Sequence, residues 1–371
     1  MFIKSVKSLT PGEKNNQFGR LIPTIEILER MSAGTDEKFK PTFLQRMIGI
    51  ESIAATNDSI SCLEKEHYQP RNKDIYSALE QICKEAIQEV KDNFPITYHI
   101  HICGPQEPTI EHALGTIRRN LGINGLYSII IQQGCAGILD AIELSKKLLM
   151  NNENLLITCE NNTIPYIHNR KRKYATTKNI NDWLWISMLG DSVGAMILSK
   201  NTLQPALEIT HIHKELATDE WRVKEYLDEQ SEPVMRMRAK EVRQTYLNNV
   251  TKHASTAIEK SDGLDKVAYV LLHESNPKMV KEVAVELGIP EDKLVIKSHK
   301  TGTIGAVSSF SLLAGALDTD SKISSDRNKI ILVCLGESPN GISSGFLNCQ
   351  FMDVSTTYQM NKNNACREEM R

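Results

Sequence analysis

Cys135 stands where a β-branched run gives way to helical spacing, and that change of period makes its sulfur a candidate for chemistry. In LYSIIIQQGCAGILDAIELSKKLLM, residues 126–150, Tyr127, Ile129, Ile130 and Ile131 form a short apolar run of the kind that fits a strand buried on both faces. Beyond Gly134, Ile138, Leu139, Ile142, Leu144, Leu148 and Leu149 recur at helical intervals, while Cys135, Ala136, Gly137 and Ala141 keep the first turns small. A thiol at such a strand-to-helix turn meets unpaired N–H groups and the positive end of the helix dipole. Both favour the thiolate, which is the nucleophile. Most lone cysteines are packing residues; position sets this one apart, and a histidine on a matching element would set it further apart.

Positioning that turn requires the elements around it. Residues 2–6 read as a strand, 22–32 carry apolar residues at helical spacing, and Phe43, Arg46 and Ile50 sit in a mixed loop or short helix. Residues 74–90 form an amphipathic helix with Ile75, Leu79, Ile82, Ala86, Ile87 and Val90 on one face. A strand at 96–103 and a helix at 109–121, closed by Gly122, lead to the cysteine segment. After it come a strand at 155–159, a long polar connection at 160–185, and a glycine and aspartate turn entering an apolar strand across 189–199. HNRKRKY at 168–174 reads as solvated charge, with a docking patch for an acidic partner as the lesser alternative.

A weak boundary near 200–205 divides an N-terminal half, 1–202, from a C-terminal half, 203–371. In the second half, strands are expected at 206–213, 267–272, 294–297, 330–335 and 346–351, with helices before residue 260, at 276–287 and beyond Gly305. The tail from 356 onward is polar. Strands alternating with helices mean an α/β protein with largely parallel sheets. The order of elements also repeats: strand 129–131 with its small-residue helix has a counterpart in strand 294–297 and the helix after Gly305.

Composition bounds the function. At 371 residues, 40% hydrophobic and 24% charged, the chain has the makeup of a soluble globular protein able to bury a sizeable core. A net charge of -2 and a pI near 6.6 argue against nucleic-acid binding. No apolar run reaches transmembrane length, and the start, MFIKSVKSLTPGEKNNQF, lacks the apolar core of a signal peptide, so a cytoplasmic protein away from the membrane is expected. Cys62, Cys83, Cys103, Cys135, Cys159, Cys334, Cys349 and Cys366 are scattered singly, without a CxxC pair or close Cys/His grouping. Free thiols are therefore expected, and no metal site.

Three segments in order, GCAG at 134–137, LGDSVGAMIL at 189–198 and LLHESNPKMVKEVAVELGIPEDKLVI at 271–296, resemble the condensing enzymes of the thiolase superfamily, in the β-ketoacyl-ACP synthase III branch. RMIGIESIAA at 46–55 and KIILVCLGESPNGISSGFL at 329–347 add weaker matches, so the resemblance covers nearly the whole chain. It implies a thiolase-like five-layered αβαβα fold of two similar halves, dimeric through sheet edges, with a heterodimer with a homologue as the alternative. It also implies no permanently bound cofactor, and a CoA or phosphopantetheine thioester, from acyl-CoA or an acyl carrier protein, as acyl donor. Cys135 then carries the acyl group and His273 serves as base or hydrogen-bond partner. The carbonyl is held by the Cys135 backbone N–H and the glycine turn Gly336 to Gly341. Asn276 matches the HxxN of the same segment, Lys278 a basic position facing the carrier, and Phe43 and Arg46 fall one residue out of register with the pair flanking the CoA adenine. Asp191 falls in a matching turn and reads as structural.

One position departs from the family pattern. Where decarboxylating members carry the asparagine of a GN(T/S) loop, this chain reads KTGTIGAV with Thr303 at that place and His299 nearby. A threonine hydroxyl offers one hydrogen bond and does not reproduce an amide, and losing an oxyanion-type donor costs about a hundredfold or more. Acyl transfer to an amine, alcohol or thiol needs no enolate, so a thioester-dependent acyltransferase, of the kind used in specialised metabolite biosynthesis, is the leading expectation. A decarboxylative ketosynthase using Thr303 or His299, and a non-catalytic subunit of a heteromeric ketosynthase, are the rivals.

Overall fold

β1 (Phe2–Leu9) lies inside a nine-stranded sheet, which is why Ile3 to Val6 are all buried although Lys4 and Ser5 are polar. The computed structural model of the chain describes residues 1–13, 17–32, 40–64, 72–103, 110–123, 126–162, 187–201, 206–217, 223–227, 233–237, 239–318, 323–324, 326–338 and 341–352. The 168–174 charge run and the tail from 356 lie outside them.

In chain order β1 is followed by β2 (Gly19–Pro23), α1 (Thr24–Ser32), α2 (Pro41–Ile48), β3 (Ser52–Thr56), α3 (Asn57–Glu64), α4 (Lys73–Glu89), β4 (Ile96–Ile102), α5 (Ile110–Asn120), β5 (Tyr127–Ile131), α6 (Gly137–Leu148), β6 (Asn154–Asn161) and β7 (Ser192–Ser199). Then come β8 (Ala206–Ala217), the hairpin β9 (Val223–Leu227) and β10 (Pro233–Met237), α7 (Ala239–Glu259), β11 (Val267–Leu272), α8 (Pro277–Glu286), the single helical turn α9 (Ser298–Thr301), α10 (Val307–Asp318), β12 (Lys329–Ser338) and β13 (Gly341–Met352). None of the described helices is long and apolar enough to cross a membrane.

The strands run β11-β12-β13-β8-β1-β7-β6-β4-β5. Among the described strands only β4–β5, β4–β6 and β11–β12 are parallel in the nine-stranded sheet, so the expectation of largely parallel sheets is corrected. β12 returns directly into β13, and β7 runs back against β6, which makes antiparallel neighbours of them. Residues 294–297 also differ from expectation: only Leu294 bridges, to Val270. The amides of Lys297 and Ser298 are taken by the Glu274 carboxylate, at 2.7 and 2.9 Å, and so are withdrawn from a ladder. With that bridge included, the order Leu294-β11-β12-β13-β8 repeats the order β5-β4-β6-β7-β1.

Three apolar cores separate the layers. α4 and α5 bury Leu79, Ile82 and Ile117 against Leu156, Val193 and Ile197 on one outer face. α6 and α10 fill the middle, where Ile138, Ile142, Phe310 and Leu313 meet Ile100 and Ile157 from one run of strands and Leu271 and Leu332 from the other. α7 and α8 pack Tyr246, Val250, Val280 and Val283 onto Val270, Val333 and Phe346 on the opposite outer face. The layering is helix, sheet, helix, sheet, helix. Truncating a fully buried aromatic such as Phe310 in the shared middle would cost about 3–5 kcal/mol.

β5 departs from its expected burial on both faces. Tyr127 and Ser128 are exposed and Ile129 to Ile131 only half-buried, because among the described strands β5 pairs with β4 alone and ends the sheet. Tyr127, 72% exposed, stacks on Tyr98.

Candidate active site

Parallel pairing of Ile100 with Ile129 and Ile102 with Ile131 ends β4 and β5 at the same level. The chain then makes one turn of 3₁₀ helix over Gly134–Ala136 before α6 begins at Gly137, and Cys135 sits in that turn. Of the described cysteines, none of which is in a disulfide, Cys135 alone is not buried. Cys334 is pushed up to about 12 by burial, eased by the Ser309 hydroxyl and raised further by Cys135. Cys159 is pushed well above the usual thiol range by burial first, then by Glu160, Cys135 and Cys103. Both stay protonated at neutral pH, which leaves Cys135 as the accessible thiol of this group.

Gly336 of β12 lies against the same turn. A Cβ there would stand 2.5 Å from the Ala136 nitrogen and 2.8 Å from the Cys135 nitrogen, so only glycine allows this approach. The first residue of the expected oxyanion turn is thereby brought to the Cys135 backbone; residues 339 and 340 of that turn lie outside the described residues. Gly336→Ala is expected to cost about 1–3 kcal/mol, because backbone atoms must move to admit the methyl group, and chemical denaturation measures it.

His273 leaves the end of β11. Leu272 pairs with Val333, so His273 emerges beside Cys334, on the strand that carries Gly336 two residues later. Adjacent parallel strands β11 and β12 thus bring His273 and Gly336, the residue that lies against the cysteine turn, to the same end of the sheet. The Tyr246 hydroxyl of α7 donates to the His273 carbonyl at 2.5 Å, and its ring lies 6.3 Å from the imidazole. Burial lowers the His273 pKa to about 4, so the ring is neutral at pH 7.

That burial sets a pH dependence. The unfolded chain takes up the proton near pH 6.5 while the native ring resists until about 4, so stability is unaffected above 6.5 and falls as pH drops from 6.5 to 4. His273 alone accounts for about 3 kcal/mol across that window. His99, lowered well below its ordinary value by burial and, more weakly, by His101 and Arg118, acts in the same direction. Thermal unfolding at pH 7.5, 6 and 5 should therefore show a melting temperature that is constant down to about 6.5 and then declines.

Thr303 reaches the histidine segment: its hydroxyl donates to the Ser275 carbonyl at 2.9 Å. Its own backbone is gripped by the turn before β7, with Thr303 N–H donating to Met188 O at 2.6 Å and Gly190 N–H donating to Thr303 O at 3.0 Å. Gly302, at φ 73°, makes that crossing possible, since a Cβ would meet Met188 O at 2.8 Å. His299 lies on α9, with its carbonyl accepting from Glu51 N–H at 2.7 Å. Asp191 accepts from the Thr56 N–H at 2.9 Å, the Thr56 hydroxyl at 3.0 Å and the Ser59 hydroxyl, a buried clasp in keeping with a structural role.

The four residues expected at the substrate or carrier mouth come together around the end of α2. Asn276 caps α8, its Oδ1 accepting from Lys278 N–H at 2.8 Å while its Nδ2 donates to Ile48 O at 2.8 Å. The Lys278 ammonium donates to the Arg46 carbonyl, so this exposed lysine is tied to α2. Phe43, 55% exposed, and Arg46 project from the same helix.

Glu274 and Tyr246 were not identified from sequence. Glu274 is buried, its carboxyl raised by burial and pulled back by the Ser298 and Lys297 amides, and it ties the end of β11 to α9. An acidic residue directly after a strand-end histidine was the available signal. Tyr246, amid the charged residues of α7, offered none.

Comparisons with known proteins agree with this architecture. The 3-oxoacyl-[acyl-carrier-protein (ACP)] synthase III C-terminal family matches residues 260–337. The β-ketoacyl-[acyl-carrier-protein] synthase III of Jannaschia sp. is 22% identical over 283 residues, which are 71% of this chain and 81% of that protein. The Ruegeria sp. (strain TM1040) protein of the same name is 25% identical over 216 residues, 54% of this chain and 61% of that one. Among solved structures, Xanthomonas campestris OleA with bound lauric acid and lauroyl-CoA has a TM-score of 0.73 at 13% identity, covering 94% of this chain and 98% of that one. The 3-oxoacyl-(acyl carrier protein) synthase III of Xanthomonas oryzae pv. oryzae scores 0.72 at 14% identity, covering 94% and 100%. A tetronic acid condensing enzyme scores 0.73 at 15% identity, covering 94% and 99%.

Proposed function

We propose that this chain, which is similar to the synthase III condensing enzymes, works by acyl transfer through Cys135. The Cys135 thiolate attacks the carbonyl of an acyl-CoA or acyl-carrier thioester, held by the amides around Cys135 and Gly336. The carrier thiolate leaves, taking the proton that the Cys135 thiol gave up to His273, and the acyl group remains as a thioester on Cys135. An amine, alcohol or thiol then attacks that carbonyl, His273 takes the proton of the acceptor, and the Cys135 thiolate departs.

The observation that carries this reading is the Thr303 hydroxyl, whose one proton is given to the Ser275 carbonyl at 2.9 Å. A hydroxyl committed to the backbone has no second hydrogen for an enolate oxygen. Thr303 on this reading steadies the histidine segment, and chemistry that avoids an enolate is favoured. The rival is condensation, favoured by the likeness to a tetronic acid condensing enzyme.

One incubation separates them. Purified protein is offered acyl-CoA with amine, alcohol and thiol acceptors, and separately with carboxyl-labelled malonyl thioester. Acylated acceptor without labelled carbon dioxide is expected; carbon dioxide release with ketoester formation overturns the proposal. We also propose a homodimer joined along the outer edge of β5, which has no partner there among the described strands, since exposed strand edges invite a second copy. Sedimentation at micromolar concentration should give twice the chain mass.

A further inference from the structure

We propose that His213, Glu215 and His253 form a binding site for one divalent transition-metal ion of the zinc type, separate from the cysteine centre. His213 and Glu215 lie two residues apart on β8, so their side chains share a face of the sheet. Their partners on β13 are Phe346 and Ser344, and α7 crosses that face carrying His253, whose side chain is 1% exposed. The scattering of Cys and His along the chain predicted no metal site; folding gathers three ligands from two distant segments.

The distances suit a small ion. His213 Nε2 lies 3.2 Å from one Glu215 oxygen and His253 Nε2 lies 4.0 Å from the other. One ligand atom from each residue falls within 4.8 Å of the rest. An ion bonded tetrahedrally at about 2.0–2.1 Å spaces its ligands about 3.3 Å apart. These two pairs straddle that spacing, and rotation of the Glu215 carboxylate, 39% exposed, closes the wider gap to His253. Two imidazoles and one carboxylate form a set that zinc takes with a fourth position left to water, whereas calcium and magnesium prefer oxygen alone.

The site already collects positive charge. The Lys252 ammonium contacts both Glu215 oxygens, at 2.6 and 2.8 Å. An arriving metal ion would displace that ammonium, which is 58% exposed and returns to water at little cost. The Ser344 hydroxyl lies 2.9 Å from His253 Nε2 and makes a further hydrogen bond of 3.3 Å to Asn249 Oδ1. Phe346 walls one side, its ring 5.5 Å from His213 and 6.4 Å from His253. Bound metal would clamp α7 to β8, and α7 also carries Tyr246, the support of the His273 carbonyl.

The test is calorimetric titration of chelator-treated full-length protein with zinc chloride, repeated with cobalt(II) to read coordination from visible absorption. One equivalent is expected to bind, with a tetrahedral cobalt spectrum. His213→Ala and Glu215→Gln, both at accessible side chains, should each weaken zinc binding tenfold or more. Lys252→Ala should strengthen it severalfold by removing the competing cation. Zinc binding that is absent, or that is unchanged in His213→Ala, overturns the proposal, as does a cobalt–thiolate charge-transfer band, which would place the ion on cysteine.

Discussion

Cys135→Ala is expected to abolish the acyl adduct and to lower acceptor acylation by at least about a thousandfold. The reason is positional. Cys135 is the one described cysteine that is not buried, and it sits in the 3₁₀ turn leading into α6. The neighbouring sulfurs of Cys159 and Cys334 are held as thiols by burial, so neither takes over the nucleophile's part. Intact-mass measurement after incubation with a panel of acyl-CoAs reads the result directly. Wild-type protein should gain the mass of one acyl group less a proton, and the variant should gain nothing. An adduct that persists in the alanine variant would move the nucleophile elsewhere; a wild-type protein that never acylates would favour a non-catalytic subunit.

The second large effect is expected at His273. Replacement by alanine should reduce transfer to the acceptor by about 10²–10⁴-fold through loss of the base. Adduct formation should suffer less, so acyl-Cys135 should accumulate. Because burial lowers the imidazole to about 4, the base stays unprotonated through the physiological range. The acid limb of kcat/KM for wild-type protein should therefore lie near pH 4, not near 6.5, as far down as the fold survives. His273→Asn, which keeps hydrogen-bonding capacity but not basicity, should behave like alanine in the transfer step. Full activity in His273→Asn would assign the ring a packing role.

Most elements were legible from periodicity. The change from an apolar β-branched run to helical spacing around Gly134 located the cysteine turn, and the amphipathic pattern of Lys73–Glu89 and the helix stop at Gly122 were likewise local signals. What periodicity missed were features of pairing. Tyr127–Ile131 reads as a doubly buried strand, but its place at the end of the sheet leaves it half-covered. Residues 294–297 have strand composition, yet Glu274 takes the amides of Lys297 and Ser298 and leaves a single bridge. The β9–β10 hairpin lay within a segment whose charge obscured alternation.

By itself the sequence determined most of the order of strands and helices and the turn that carries Cys135, because side-chain period and turn chemistry act over a few neighbouring residues, while the candidacy of His273 rested on the resemblance to the synthase III family. Tertiary structure decided which distant groups meet: Gly336 against Cys135, Thr303 on the Ser275 carbonyl, Tyr246 beneath His273, and His213 and Glu215 facing His253. Those contacts join segments far apart in the chain. They depend on sheet register and on which helix covers which face, and the residues themselves carry no local pattern that marks their partners.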